Sequence, residues 1–370
     1  KGKGYAFAEE DAFKYHGVTP FEPLDGKFKK KKTSGQAISY SQVFGNKLGE
    51  LMESDESVVV LTAAMLSGTG IVNLQPKFPD RVLDVGIAEG HAVTCSAGLA
   101  TAGIKPFVAI YSTFLQRALD HIIHDVAVQK LPVRFMLDRA GFVGSDGPTN
   151  NGMFDLTYLR MIPNMTIMVP RNGAELRCMI EFSFNYETGP LAIRYPRANT
   201  SHLDENQIPP LELGKAQILR KGQNVALFAV GTMVEKAEKV ADLLEKHGVF
   251  ASVINARFVK PLDEDLIVEL SRKAKLVVSL EENTIQGGFG SAMLEILSKN
   301  KICKPTLQIG APDSFIPQGS LEEQLNEAEL NVEKIYVRVL ENIPEVCLLY
   351  TSPSPRDQRG SGVAGSGWKK

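Results

Sequence analysis

RVLDVGIAEGHAVTCSAGLATAGIKPFVAIYSTFLQRALDHIIHDVAVQKLPVRFMLDR, residues Arg81–Arg139, decides the fold class. Three short runs in it, RVLDVGI, PFVAIYS and VRFMLDR, are rich in apolar and β-branched residues and read as buried parallel strands. A small-residue helix, AVTCSAGLATAG, and a second predicted helix, RALDHIIHDVAVQK, lie between them. Strands alternating with helices require a mainly parallel sheet covered on both faces.

The same alternation extends outward. Upstream, Tyr40, Phe44, Leu48, Leu51 and Met52 recur at helical spacing, and SVVVLTAAM reads as a buried strand. Downstream, MTIMVP and LAIRYP are two further strands. The periodicity stops around Arg197–Leu211 (RANTSHLDENQIPPL), which marks a domain boundary. A second α/β unit follows, with NVALFAVG, ASVINARFV and LVVSLEE as strands. Its helices are one faced by Val234, Ala237, Val240, Ala241 and Leu244, then SAMLEILSKN and VEKIYVRVLENI. The expected fold is α/β, with two doubly wound, mainly parallel-sheet domains over residues 34–200 and 213–346. Residues 1–33, with scattered Gly and Pro and the run Lys29–Lys32, read as a connector, and a chain that opens on a linker is expected to continue upstream. The Ser-, Pro- and Gly-rich residues 347–370 read as a non-native disordered tail and are set aside.

A length of 370 residues calls for two or three domains, and 44% hydrophobic with 23% charged residues excludes wholesale disorder. Lys plus Arg number 41 and Asp plus Glu 43, so no global cationic field exists to hold nucleic acid or an anionic membrane. Cys95, Cys178, Cys303 and Cys347 lie far apart without a CxxC pair, which favours reduced, buried thiols over disulfides or a zinc site. No apolar run reaches the roughly 18 residues of a membrane span, and KGKGYAFAEEDAF lacks the apolar stretch of a secretory signal. The expectation is a soluble, intracellular protein.

In an open parallel sheet, ligands bind beyond the carboxyl ends of the strands. RVLDVGI ends in Ala88-Glu89-Gly90-His91. A carboxylate there is either desolvated and able to grip a protonated ring nitrogen, or it only complements a helix dipole. PFVAIYSTFLQR presents Tyr111, Phe114 and Arg117, where an aromatic either stacks on a flat heterocycle or joins the core. VRFMLDR ends in Asp138 and Arg139, followed by a loop with Gly141, Gly144, Gly147 and Gly152. LAIRYPR ends in Arg194 and Arg197, whose forked donors suit phosphate or carboxylate. Tyr111, Arg139 and Arg194 stand at three strand ends that the fold would converge. His121 and His124 have no third ligand at metal spacing and read as structural or interfacial. EENTIQGGFGS fits neither GxGxxG nor a P-loop, so its glycines point to close helix or subunit packing.

IAEGHAVTCSAGLA, KPFVAIYSTFLQRALDHIIHDVAVQKLPV, LDRAGFVGSDGPTNNGMFDLTYLR and AIRYPR together resemble 1-deoxy-D-xylulose-5-phosphate synthases, thiamine-diphosphate-dependent members of the transketolase superfamily. GYAFAEEDAFKYHGVTPFEP is similar to that family's interdomain linker, and EENTIQGGFGS to its C-terminal domain. The resemblance implies a pyrimidine-binding domain and a transketolase C-terminal domain. An N-terminal domain carrying the diphosphate site and the Mg²⁺ ligands is expected to be missing, leaving this chain alone inactive. The implied reaction joins pyruvate to D-glyceraldehyde 3-phosphate with loss of CO₂, serving isoprenoid, thiamine and pyridoxal synthesis. A homodimer in bacterial cytoplasm or plastid stroma is implied as well, without nucleic-acid or membrane partners.

Carried over by motif, Glu89 bonds the aminopyrimidine ring of thiamine diphosphate, Phe114 stacks on it, and Ile87 belongs to the same cofactor site. Tyr111, Arg139 and Arg194, with Asp146, match positions that hold the triose phosphate, and His16 matches a linker histidine that handles protons. Two residues depart from the family pattern. Gly90 stands where Gln is usual, a change expected to be tolerated. Asn150 stands where a histidine is usual, and an amide cannot shuttle a proton near neutral pH. Two other functions stay open: the β subunit of a 2-oxo acid dehydrogenase, and a non-catalytic relative binding phosphorylated metabolites or a partner.

Overall fold

The computed structural model describes residues 2–11, 15, 21–28, 37–200 and 202–344. His16, the Lys29–Lys32 run, Cys347 and the rest of the tail lie outside the described residues. Among the described residues, no helix is long and apolar enough to cross a membrane. The chain divides into two compact units, residues 1–37 and 38–370.

The first unit is not the featureless connector its composition predicts. Its described residues contain a helix, Ala6–Glu10, and an aromatic cluster. The Tyr15 ring lies 5.6 Å from Tyr5, 5.4 Å from Phe21 and 5.2 Å from Phe28. The Tyr15 hydroxyl donates to the Gly26 carbonyl at 2.8 Å. Gly26 has φ +65°, and a Cβ there would run into the Tyr15 hydroxyl and the Phe7 ring. Aromatics at irregular spacing build this cluster, so no helical or strand period announces it.

Apart from a two-stranded antiparallel pairing of Ile38–Ser39 with Asn199–Thr200, the second unit holds two sheets. The first comprises β1 (Val58–Thr62), β2 (Val82–Asp84), β3 (Lys105–Tyr111), β4 (Arg134–Asp138), β5 (Thr166–Met168) and β6 (Leu191–Arg194). The second comprises β7 (Gln217–Arg220), β8 (Val225–Ala229), β9 (Ala251–Asn255), β11 (Leu276–Thr284) and β12 (Thr306–Ala311), while β10 (Phe258–Lys260) returns to the first sheet. Strand order is β10-β5-β6-β4-β3-β1-β2 and β12-β11-β8-β9-β7. Pairing is parallel throughout except at β10 with β5 and β7 with β9. Both sheets are therefore mainly parallel, as the alternation predicts. Helix Tyr40–Ser54 starts at a Ser39–Gln42 capping box and buries Tyr40, Phe44, Leu48, Leu51 and Met52, the face read from their spacing.

Two elements differ from the sequence reading. ASVINARFV is not one strand: it turns at Arg257, φ +58°, and its second half crosses to the other sheet. Glu175 fixes that turn, accepting from Arg257 Nε at 2.9 Å and from Asn255 Nδ2 at 2.9 Å, with all three side chains buried. The residues between β3 and β4 are not one regular helix either, since Ile122–Ala127 widens into a π-helical turn. At its end the Ala127 carbonyl accepts from Lys130 N at 3.1 Å and also from the Asn164 amide at 3.2 Å. The cysteine expectation also needs correction, because Cys303 is exposed and Cys95 and Cys178 are only half-buried; all three are free thiols.

The glycine turn after β11 serves packing. Buried Glu281 accepts from Phe289 N at 2.7 Å and Gly290 N at 2.8 Å, capping helix Phe289–Lys299, and a side chain at Gly288 would collide with that carboxylate. Burial pushes the Glu281 carboxyl up to about 8, against the pull of the two N–H donors. A pKa raised in the fold gives stability that is complete below the ordinary carboxylate range and lost as pH rises toward 8. Buried Asp138 is raised by burial too and acts with the same sign. The melting temperature of the wild type is thus expected to fall between pH 5 and pH 8, and that of Glu281→Gln to fall less. Equal slopes in thermal melts would refute the assignment.

Candidate active site

From β1 the chain passes to β2 on one side and then to β3 on the other, so the crevice beyond these strands is a topological switch point. Glu89 follows β2 and opens helix Glu89–Thr101. Its side chain is only 5% exposed, yet among the described residues its hydrogen-bond partner is the 58% exposed Arg117, with Nη1 at 2.5 Å from Oε1. The Arg117 guanidinium also lies 5.0 Å from the centroid of the Phe114 ring. A movable, planar cation therefore touches both a desolvated carboxylate and an aromatic ring. Two residues before Glu89, Ile87 is 82% exposed, an apolar side chain held at the mouth of the crevice. A protonated flat heterocycle with an apolar edge suits the same surroundings.

Beyond β3 and β4 lies a second cluster. The Tyr111 ring stacks on Phe114 at 5.5 Å, and the Arg139 guanidinium lies 3.9 Å from the Tyr111 centroid. A side chain at Gly68 would collide with the Tyr111 hydroxyl, so glycine is required there for this approach. Arg139 has φ +60° and donates from Nη1 to Asp138 Oδ1 at 2.8 Å and to Gly68 O at 2.7 Å. Its Nε is buried with no acceptor among the described residues, a donor available to an anion. Burial raises the Tyr111 hydroxyl above its ordinary pKa, keeping it a neutral donor, while Arg139, Asp138, Asp146 and Arg197 all act on it electrostatically.

Arg194 does not belong to this cluster, contrary to the expectation from its strand-end position. Its Nε donates to Asp155 Oδ2 at 2.9 Å, and its Nη2 donates to the carbonyls of Gly152 and Glu282 at 3.1 Å. The pair is buried, with side chains 5% and 0% exposed, and Ser112 donates to the same Asp155 oxygen. That guanidinium is a structural tie between the two sheets. Arg197 takes the place assigned to it: its Nη1 lies 2.9 Å from Asp146 Oδ1 and 2.9 Å from Val143 O, and its side chain is 40% exposed. Both arginines stand in RYPR, but nothing in the sequence reports the Asp155 partner that claims the first.

The two departures from the family pattern also have local causes. A Cβ at Gly90 would lie 2.7 Å from the His121 ring, so a glutamine there would require His121 to move. Asn150 donates from Nδ2 to the Asp146 carbonyl at 3.0 Å and steadies the turn that carries Asp146. His124 is exposed and pairs with Asp125 at 2.8 Å. Among the described residues, no cluster of three or more His, Cys, Asp or Glu side chains could hold a metal ion.

Comparison with known proteins agrees with the fold. Residues 36–202 match the transketolase pyrimidine-binding domain and residues 214–335 the transketolase C-terminal domain. A split-gene transketolase solved as an inactive β4 tetramer superposes with TM-score 0.75 at 30% identity, covering 83% of this chain and 98% of that one. Transketolase from Campylobacter jejuni, at 20% identity and TM-score 0.68, shares the fold over 85% of this chain and 48% of its own. The chain belongs to the transketolase family. Its curated relatives are named 1-deoxy-D-xylulose-5-phosphate synthase. The protein of Thermosynechococcus vestitus is 51% identical over 325 residues, 87% of this chain and 51% of the relative. That of Caldanaerobacter subterraneus is 48% identical over 346 residues, 94% and 55% respectively. The chain thus spans about half the length of the curated relatives it matches.

Proposed function

We propose that this chain supplies the pyrimidine-binding and triose-phosphate-binding parts of a thiamine-diphosphate-dependent 1-deoxy-D-xylulose-5-phosphate synthase. The observation that carries the reading is the nearly buried Glu89 carboxylate, linked through Arg117 to Phe114, with the Tyr111–Arg139–Arg197–Asp146 cluster beyond the neighbouring strands. Glu89 would accept a hydrogen bond from the aminopyrimidine at a position shielded from bulk water. Phe114 would offer its face to the ring, and Ile87 would exclude water at its edge. When bound, thiamine diphosphate supplies the nucleophilic carbon that joins pyruvate to D-glyceraldehyde 3-phosphate with loss of CO₂.

Arg139 Nε and the Arg197 fork would hold the phosphate of the acceptor, while Asp146 keeps Arg197 in place and accepts from a sugar hydroxyl. By resemblance, His16 handles protons, and the diphosphate and Mg²⁺ ligands lie outside the two matched domains. A relative of nearly the same extent is described as inactive in its β4 form. That supports the expectation that this chain turns over only beside a diphosphate-binding domain.

Saturation-transfer NMR with 4-amino-5-hydroxymethyl-2-methylpyrimidine, the ring half of the cofactor, tests the reading. The wild-type chain is expected to bind it and Glu89→Gln to bind at least about tenfold more weakly, the value of one charged hydrogen bond. Equal binding by both chains would remove Glu89 from its role.

A further inference from the structure

The loop from Gly141 to Gly152 carries Asp146, and its base is closed by paired Gly141 and Gly152 backbone bonds at 2.8 Å. Much of what fixes its interior comes from the second sheet's domain. Phe142 N donates to Glu282 Oε1 on β11 at 2.7 Å, and Gln318 Nε2 donates to Ser145 O at 2.6 Å. Between these, Gly144 N donates to Gln324 Oε1 at 2.8 Å, from a side chain only 1% exposed on helix Leu321–Glu327. The other end of that amide is also committed, with Gln324 Nε2 donating to Pro317 O at 3.0 Å. Both ends being occupied, the amide has one orientation, and the loop meets an acceptor already aimed at it. Gly144 itself has φ +68°, and a Cβ there would lie 3.2 Å from Leu321 N, so the loop rests directly on the start of that helix.

We infer that Gln324 is a positioning residue for the triose-phosphate end of the site. Its amide oxygen fixes Gly144, and Gly144 fixes the turn that brings Asp146 to Arg197, 2.9 Å away. This role rests on the functional reading above. The second domain thereby acts on substrate through a hydrogen bond spanning 180 residues of sequence.

Gln324→Met keeps the shape of the side chain and removes both hydrogen bonds. In the full chain, hydrogen exchange in the peptide covering residues 141–152 is expected to accelerate on the order of tenfold, since a buried N–H then lacks its acceptor. Calorimetric affinity for D-glyceraldehyde 3-phosphate is expected to fall by a similar factor, with binding of the pyrimidine fragment unchanged. A merely structural role would weaken both ligands together. Gln318→Ala, at an exposed position, is expected to accelerate the same peptide to a lesser degree, and it decides the matter should the buried variant fail to fold. Unchanged exchange in the variants, or unchanged triose-phosphate affinity despite faster exchange, would overturn the inference. A wild-type chain that binds no triose phosphate would instead sink the functional reading, while the exchange comparison would still decide the tether.

Discussion

Arg194→Ala is expected to destabilise the protein severely, whereas Arg197→Ala leaves the fold intact and loses the phosphorylated ligand. Removing Arg194 strands Asp155, whose side chain is 0% exposed, with the Ser112 hydroxyl and the Leu156 N–H as its remaining partners among the described residues. Breaking a buried ion pair from one side costs about 3–5 kcal/mol. In a chain of this size that lowers the melting temperature by roughly 5 °C. The Arg197–Asp146 pair is 40% and 35% exposed, so its loss costs the fold about 1 kcal/mol or less. Loss of a charged hydrogen bond to the ligand weakens triose-phosphate binding roughly 10- to 100-fold. Differential scanning calorimetry and a ligand titration on both variants separate the two roles. Matching melts with matching affinities would show that the two arginines had been wrongly distinguished.

Glu89→Gln has the largest expected effect on chemistry. Glutamine is nearly isosteric, and the ion pair it removes reaches outward to a 58% exposed Arg117, so little stability is at stake. A carboxylate placed to share a proton with a bound ring contributes roughly 10²- to 10⁴-fold to turnover. With the chain combined with the diphosphate-binding domain of one of its relatives, turnover should fall by that factor while triose-phosphate affinity stays constant. A turnover within about tenfold of the parent, below the range of general acid–base catalysis, would deny the carboxylate that part.

The strands were legible because burial on both faces makes most of them largely apolar, and Glu89 was legible because a carboxylate follows one of them where the next helix opens. What escaped the sequence is whatever depends on partners far along the chain. ASVINARFV is mostly apolar on either side of the sheet change, and Glu175, 82 residues before Arg257, reveals the turn. RYPR offers two arginines, and the strand-end rule selects the first. The first is then taken by Asp155, 39 residues away, while Pro196 carries the chain past the sheet and Arg197 emerges at the cleft. Gln324 carries no signal at all, because a glutamine in a short amphipathic helix reads as a surface residue until the loop it holds is seen. The aromatic cluster near the start escaped for a different reason: short aromatic contacts need no period.

Titration calorimetry of the wild-type chain with D-glyceraldehyde 3-phosphate and, separately, with D-glyceraldehyde tests most directly whether the arginines at these strand ends form a phosphate receptor. The phosphorylated triose is expected to bind at least about tenfold tighter, a difference of about 1.4 kcal/mol. Equal affinity for the two sugars, or binding by neither, would contradict it.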